Sequence, residues 1–192
     1  MSAHVFPSTA AKTVLEFYFD YVCPFSAKQY KVIYEQLIPY LKESKTERRI
    51  ELVFRHQVQP WHPASQLLHE AGLAVSKLNA DRFWEFSNKL FIEQKKYFDE
   101  FACNESRHQV YKRLAKIATS VGVDEAAFLD LLFIQKASSN DGNKVANDLK
   151  TQIKISRQNG IHVSPTVVRD GLVDSSISSS YTLDDWKKYL HI

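Results

Sequence analysis

Val14-Leu15-Glu16-Phe17-Tyr18-Phe19, followed by Asp20-Tyr21-Val22-Cys23-Pro24-Phe25-Ser26, is the stretch on which the fold turns. Its first six residues are apolar and aromatic enough for a buried strand. They run into Cys23-Pro24, and proline is preferred in the first turn of a helix, where its missing N–H is no loss. Behind it Tyr30, Ile33, Tyr34, Leu37, Ile38 and Leu41 recur at helical spacing, which predicts a helix from Pro24 to about Leu41. A cysteine between a strand end and a helix start sits beside unpaired backbone N–H groups and the positive end of the helix dipole. Both favour the thiolate, the form that attacks a disulfide or displaces a leaving group. Read alone, the Cys-Pro-Phe-Ser tetrad fits a small buried hydrophobe at a helix start equally well.

Working outward, Ile50-Glu51-Leu52-Val53-Phe54 has the apolar density of a central strand. A crossover helix between it and the first strand predicts a parallel pair. From Pro63 to Gly160 the chain reads helical. Phe83, Phe86, Leu90 and Phe91 mark one helix, and Val110, Leu114, Ile117 and Val121 another. Asp124 is placed to cap a third through Leu132. Val145, Leu149 and Ile153 stripe a fourth, which Asn159-Gly160 ends. Strand signal then returns in Pro165-Thr166-Val167-Val168 and Leu172-Val173, with Asp170-Gly171 as a hairpin turn. Thr182 opens a last helix, with Asp185 three residues on as an imperfect capping box. The order predicts an α/β fold. There is no internal repeat, and the Ser-rich stretch Ser175 to Ser180 reads as a loop.

Composition agrees with a folded globular chain. Of 192 residues, 44% are hydrophobic and 24% charged, which argues against disorder. The length fits one domain carrying an insertion: a core at approximately 13–60 and 141–192, and a helical insertion at approximately 61–140. The net charge of +3 is modest, and the densest basic patch, Lys45 to Arg49, is broken by Thr46 and Glu47. It reads as a solvated loop, so no nucleic-acid partner is expected. Met1 to Lys12 lacks the basic start and apolar run of a secretory signal. The best apolar run, Ala126 to Ile134, is interrupted by Asp130, so no membrane association is expected. The C-terminal Leu190-His191-Ile192 is not a Ser-Lys-Leu type address, and Asn104-Glu105-Ser106 is read as a chance glycosylation triplet. Two cysteines, Cys23 and Cys103, are too few for a disulfide scaffold. A cytoplasmic protein is the expectation.

A second motif meets the first. Asn159-Gly160-Ile161-His162-Val163-Ser164-Pro165-Thr166-Val167 puts a proline at the start of a strand, after a glycine-ended helix. A cis bond there would expose the Ser164 backbone as an edge for an extended peptide bearing a thiol. Ser26, three residues after Cys23, can donate a hydrogen bond to a thiolate but cannot resolve a mixed disulfide. An outside thiol must do so, and glutathione is the cytosolic candidate.

Together these residues carry a resemblance. Asp20-Tyr21-Val22-Cys23-Pro24-Phe25-Ser26 is similar to the Asp-x-x-[Cys/Ser]-Pro-aromatic-[Cys/Ser] signature of the DsbA-like thioredoxin superfamily. That group includes FrnE-like oxidoreductases, kappa-class glutathione transferases and 2-hydroxychromene-2-carboxylate isomerases. Phe54-Arg55-His56 with Pro60-Trp61-His62-Pro63 resembles the segment after the second strand, and Gly160 to Thr166 resembles the stretch around the cis-proline. The match runs from Thr13 to Ile192 in element order. It implies a thioredoxin fold with a large helical insertion, Cys23 as nucleophile, and Pro165 with the Ser164 backbone as the substrate-aligning edge. Pro24 and Phe25 flank the nucleophile as substrate-binding positions. Two departures stand out: Ser26 replaces the resolving cysteine of the oxidoreductases, and Cys23 stands where kappa-class members carry serine. Those proteins also keep a buried acid six residues before the cysteine; Glu16 lies seven before it, and that role is not carried over.

Other candidates are weaker. Asp20 reads as a loop or cap residue before a proton relay. His56, His62 and His69 cluster in sequence without a metal-ligand pattern, so no metal is expected. His56 or His62 lining the site mouth is the alternative. Arg55 is read as capping the sheet edge rather than binding a glutathione carboxylate. Cys103 is read as a free thiol, the alternative being a resolving partner for Cys23 brought close by the helical cap. Phe83, Trp84, Phe86 and Phe91 are expected to form the insertion's own core, with part of that surface lining a hydrophobic substrate groove as the alternative. The leading functional expectation is a thiol–disulfide oxidoreductase of protein-disulfide-isomerase type using one cysteine, with no tightly bound cofactor. Glutathione or another small thiol is its co-substrate, and a protein disulfide is the further substrate class. The alternatives are a kappa-type glutathione-dependent transferase or isomerase, and a redox-inactive protein-binding module.

Overall fold

The computed structural model of the chain describes residues 4–6, 13–134 and 140–192. Five strands form one sheet: β1 (His4–Phe6), β2 (Thr13–Phe19), β3 (Ile50–His56), β4 (Thr166–Arg169) and β5 (Leu172–Val173), in the order β1-β3-β2-β4-β5. β2 and β3 are parallel, as the crossover helix requires, with Phe17 opposite Phe54 and Phe19 opposite His56. β4 lies antiparallel on the other side of β2, and β1 lies antiparallel on β3. The short β1 has no counterpart among the sequence expectations, which read its region only for targeting signals. The remaining residues of Met1 to Lys12 lie outside the described ones.

Alternation along β2 sends Leu15, Phe17 and Phe19 to one face and Glu16 and Tyr18 to the other. The first face carries the main core. The second holds Tyr18 with Val168 and Ile161, just beyond α8 (Ala146–Gln158), which packs along β3.

The helix behind Cys23 runs as α1 (Pro24–Val32), a π-helical turn at Ile33–Leu37, and α2 (Ile38–Glu43). Its stripe is buried as expected, with Tyr30, Ile33, Leu37, Ile38 and Leu41 all in the core. The π turn has a local cause. Pro39 has no N–H to return to the preceding turn, and the Ile38 N–H reaches back five residues to the Ile33 carbonyl.

The helical block contains α3 (Ser65–Leu78), α4 (Phe83–Ile92), the short α5 (Asp99–Ala102), α6 (Arg107–Ser120) and α7 (Glu125–Leu132). α3 is the element that periodicity did not single out. Its apolar residues Leu67, Leu68, Ala71, Ala74 and Val75 do recur at helical spacing, and every position from Leu68 to Val75 is buried. Asp124 caps α7 by accepting from Ala127 N at 2.8 Å. Ser106, read above only within a glycosylation triplet, caps α6 in a reciprocal box with Gln109. The last helix, α9 (Leu183–Leu190), has a complete box between Thr182 and Asp185, so the shorter aspartate reaches back as well as a glutamate would. In the hairpin both Asp170 and Gly171 have positive φ, 50° and 86°, the geometry of a type I′ turn.

Two expectations are corrected here. Phe83, Trp84 and Phe91 do not form a separate insertion core. Phe83 packs edge-on to Phe54 at 5.1 Å, Trp84 stacks on Tyr30 at 5.8 Å, and Phe91 meets Tyr30 at 4.7 Å. Only Phe86 of the four turns inward to the helical block, towards Phe128. The reason is placement: α4 lies against α1 and the sheet, so its aromatic face closes the common core. Arg55 lies one residue past the β1 register, which ends at Phe54, and directs its charge within the sheet rather than to an edge. It is ion-paired with Glu16 on the neighbouring strand.

Candidate active site

Cys23 is the N-cap residue of α1, in extended backbone conformation, with Pro24 at the first helical position. Its own N–H donates to the Asp20 carbonyl at 3.1 Å, and its carbonyl accepts from Ala27 N, starting the helix. The sulfur is therefore held at the end of α1 where backbone N–H groups are unpaired. Cys23 is only 5% exposed, whereas Phe25 next along is 64% exposed.

The partner of the sulfur comes from far along the chain. Cys23 Sγ lies 3.3 Å from the carbonyl oxygen of Ser164, to which the thiol donates. The Ser164–Pro165 peptide bond is cis. The two motifs that sequence reading singled out, 141 residues apart, thus meet at the Cys23 sulfur. Ser26 is fully buried, and its hydroxyl accepts from Asp20 N at 3.3 Å. Accepting that bond leaves the hydroxyl proton for donation.

The turn before Cys23 is pinned from the helical block. Gln94, in the one-turn helix Gln94–Tyr97, donates to the carbonyls of Tyr21 at 2.8 Å and Cys23 at 3.3 Å. The Tyr21 hydroxyl bonds Ser87 on α4 at 2.7 Å. On the other flank, Gln57 and Gln59 donate to the carbonyls of Ile161 and His162, tying the segment after β3 to the one before Pro165. Trp61 and Val163, each 60% exposed, stand on these two segments, so apolar surface flanks the buried sulfur.

Asp20 has more partners than a loop residue needs. One carboxylate oxygen accepts from Val22 N at 3.0 Å and Ser65 Oγ at 2.8 Å; the other lies 2.7 Å from His62 Nδ1. His69 Nε2 stands 3.6 Å from Asp20, and its Nδ1 is 2.7 Å from Nδ1 of His56. Burial pushes the Asp20 carboxyl up, but His69, the Val22 N–H and His62 together hold it below the usual carboxylate range. The histidines thus converge on a carboxylate. Among the described residues no group of three or more His, Cys, Asp or Glu is set to hold a metal ion. Sequence reading named Asp20, His56, His62 and His69 separately but missed their convergence, and it missed Ser65 and Gln94 altogether. A signal existed for one link: Ser65 and His69 are four apart at the start of α3, hence on one face.

Cys103, just past α5, is exposed and unbonded to any other sulfur. It lines a cavity of about 210 Å³ with Pro63, Ala64 and Leu67.

No protein-family model matches the sequence, and a search of curated proteins finds no match. Solved structures do match. A protein-disulfide isomerase candidate from Pseudomonas syringae superimposes with a TM-score of 0.77 and 23% identity, over 98% of each chain. BdbD from Bacillus subtilis gives 0.67 and 17%, covering 98% of this chain and 91% of its own. DsbA from Chlamydia trachomatis gives 0.63 and 14%, covering 98% of this chain and 88% of its own. The chain has the DsbA-like thioredoxin fold. That fold, with its helical insertion, agrees with the expectation drawn from the Cys23 and Pro165 segments. Within the DsbA-like fold, Cys23 occupies the strand-to-helix turn and Ser164-Pro165 the facing loop. Among the described residues no helix is long and apolar enough to cross a membrane.

Proposed function

We propose that the protein is a thiol–disulfide oxidoreductase that works through Cys23 alone and draws its second thiol from glutathione. The observation that carries this reading is the juxtaposition of Cys23 Sγ, at a helix N-terminus, with the Ser164 carbonyl beside a cis-proline. The solved structures that resemble the chain include thiol–disulfide oxidoreductases from Corynebacterium diphtheriae and Corynebacterium matruchotii, which supports the same chemistry.

In the proposed cycle the Cys23 thiolate attacks one sulfur of a substrate disulfide. A bond forms between Cys23 and that sulfur, the substrate S–S bond breaks, and the leaving thiolate takes a proton. Ser26 donates a hydrogen bond to the Cys23 thiolate but has no sulfur with which to expel the substrate. A glutathione thiolate therefore attacks the substrate sulfur of the mixed disulfide and releases the Cys23 thiolate. A second glutathione then frees the substrate thiol, so two glutathione molecules supply the two electrons. The Ser164 backbone and Pro165 align the incoming chain, and exposed Pro24 and Phe25 contact its side chains. A protein disulfide is the substrate class that an exposed Phe25, Trp61 and Val163 favour. Dependence on a reduced thiol pool fits a cytoplasmic setting.

Turnover of a small disulfide with reduced glutathione tests the proposal. Wild type is expected to accelerate it and Cys23→Ala to be inactive. Turnover retained in Cys23→Ala, or conjugation activity retained in Cys23→Ser, overturns it in favour of a kappa-type reaction on bound glutathione.

A further inference from the structure

Asp20 poses an electrostatic problem. It is a fully buried carboxylate three residues before the sulfur that must ionise, and a nearby anion disfavours a thiolate. The fold answers with imidazoles. His62 Nδ1 faces one carboxylate oxygen at 2.7 Å, His69 Nε2 faces the other at 3.6 Å, and His56 backs His69 at 2.7 Å. His56 and His69 present like nitrogens to each other, so one ring must donate its proton to the other. The four residues come from four separate places: the turn, β3, the segment after it, and α3. The chain of contacts leads from the buried His56 out to His62, whose side chain is 23% exposed.

We propose that Asp20, His62, His69 and His56 form a positioning unit that holds one imidazolium against the carboxylate and so screens Cys23 from its charge. The unit sets how much of Cys23 is thiolate at neutral pH. It rests on the reading of Cys23 as the nucleophile. The same contacts hold the Asp20 carboxyl below the usual carboxylate range, against the upward push of its burial.

Among the described residues the neighbouring titratable groups are engaged elsewhere. Tyr21 packs on His69 at 4.9 Å, but its hydroxyl bonds Ser87 and burial holds the phenol neutral. Glu70, next on α3, turns away to Tyr111, Arg107 and Gln66. Lys28 on α1 is bonded to Ser180. His162 and Arg157 stand exposed on the Trp61 side, and His162 accepts there through its backbone.

The test is the rate of Cys23 alkylation by iodoacetamide at pH 7 and pH 10, in protein carrying Cys103→Ala. His62→Gln keeps a hydrogen-bond donor and removes the charge. It is expected to slow the reaction about threefold or more at pH 7 and to leave it unchanged at pH 10, where the thiol is ionised regardless. Asp20→Asn is expected to speed the reaction at pH 7, and adding His62→Gln to it to have no further effect. A rate in His62→Gln unchanged at pH 7, or slowed equally at both pH values, overturns the proposal, since a purely steric or structural role acts at both. His62 is partly exposed, so this arm stands even where Asp20→Asn fails to fold. The reading of Cys23 is checked apart from it, by mixed-disulfide formation in the wild type. An adduct that forms while the pH 7 to pH 10 ratio stays fixed removes the screening unit and leaves the nucleophile.

Discussion

Gly72 of α3 leaves no space for a methyl group beneath Tyr21: a Cβ on it would lie 2.8 Å from Tyr21 Oη and 3.1 Å from His56 Cε1. The helix backbone is thus pressed against the ring that precedes Cys23 and against the histidine that backs His69. Gly72→Ala must displace Tyr21 from Ser87 or push α3 away from Tyr21 and His56. The expected cost is about 1–3 kcal/mol, the usual range for overpacking a filled core. Urea unfolding measures it, and a cost near zero would mean the contact relaxes freely. Helix propensity alone would make the change favourable, so the sign decides between the two effects.

Asp20 should also leave its mark on stability against pH. Its folded-state pKa is lowered, so the native carboxylate holds fewer protons than the unfolded one between the two values. Its contribution is therefore fully present above the unfolded value of about 3.9 and lost as pH falls through the lower folded one. The stability gap between wild type and Asp20→Asn is expected to be widest near neutrality and to narrow in acid below that point. Denaturant unfolding at a series of pH values checks it. A gap that stays constant through the acid range would show that Asp20 contributes only through uncharged hydrogen bonding.

Ser26→Cys converts the turn into a dithiol. Ser26 is buried one helical turn from Cys23, and its hydroxyl already accepts from Asp20 N, so a thiol of similar shape can take its place. Oxidation should then join Cys23 to the introduced thiol, and reduction of a small disulfide should proceed without added glutathione once a dithiol reductant recharges it. A variant whose two thiols both stay free to alkylation after oxidation would mean that the turn geometry differs from that of a dithiol centre.

Much of the fold was legible because its local signals agree with its tertiary contacts. Val14 to Phe19, the helix stripe from Tyr30 to Leu41, the Asp170-Gly171 turn and the Thr182 cap each act within a few residues. What escaped reading lies where the signal is carried by small residues or the partners are distant. α3 has a helical stripe, Leu67, Leu68, Ala71, Ala74 and Val75, but much of it is alanine and valine beside Gly72, which mark it weakly. The π turn before Pro39 answers a missing donor, which periodicity does not register. Phe83, Trp84 and Phe91 were misassigned because their sequence neighbourhood is the helical block, while their spatial neighbours are Tyr30 and Phe54. In the candidate site, Cys23 and Pro165 were found through local motifs. The meeting of Asp20 with His62 and Ser65 spans 42 and 45 residues, and no local pattern announces it.

The most direct test is the intact mass of the protein after incubation with oxidised glutathione. A centre that works through one cysteine must pass through a covalent intermediate, because Ser26 cannot expel the bound sulfur. The expected result is one glutathione added at Cys23, released by reduced glutathione, present in Cys103→Ala and absent in Cys23→Ala. No adduct at Cys23 in folded wild-type protein, with Cys103 alone modified, would contradict the assignment of Cys23 as the reacting sulfur.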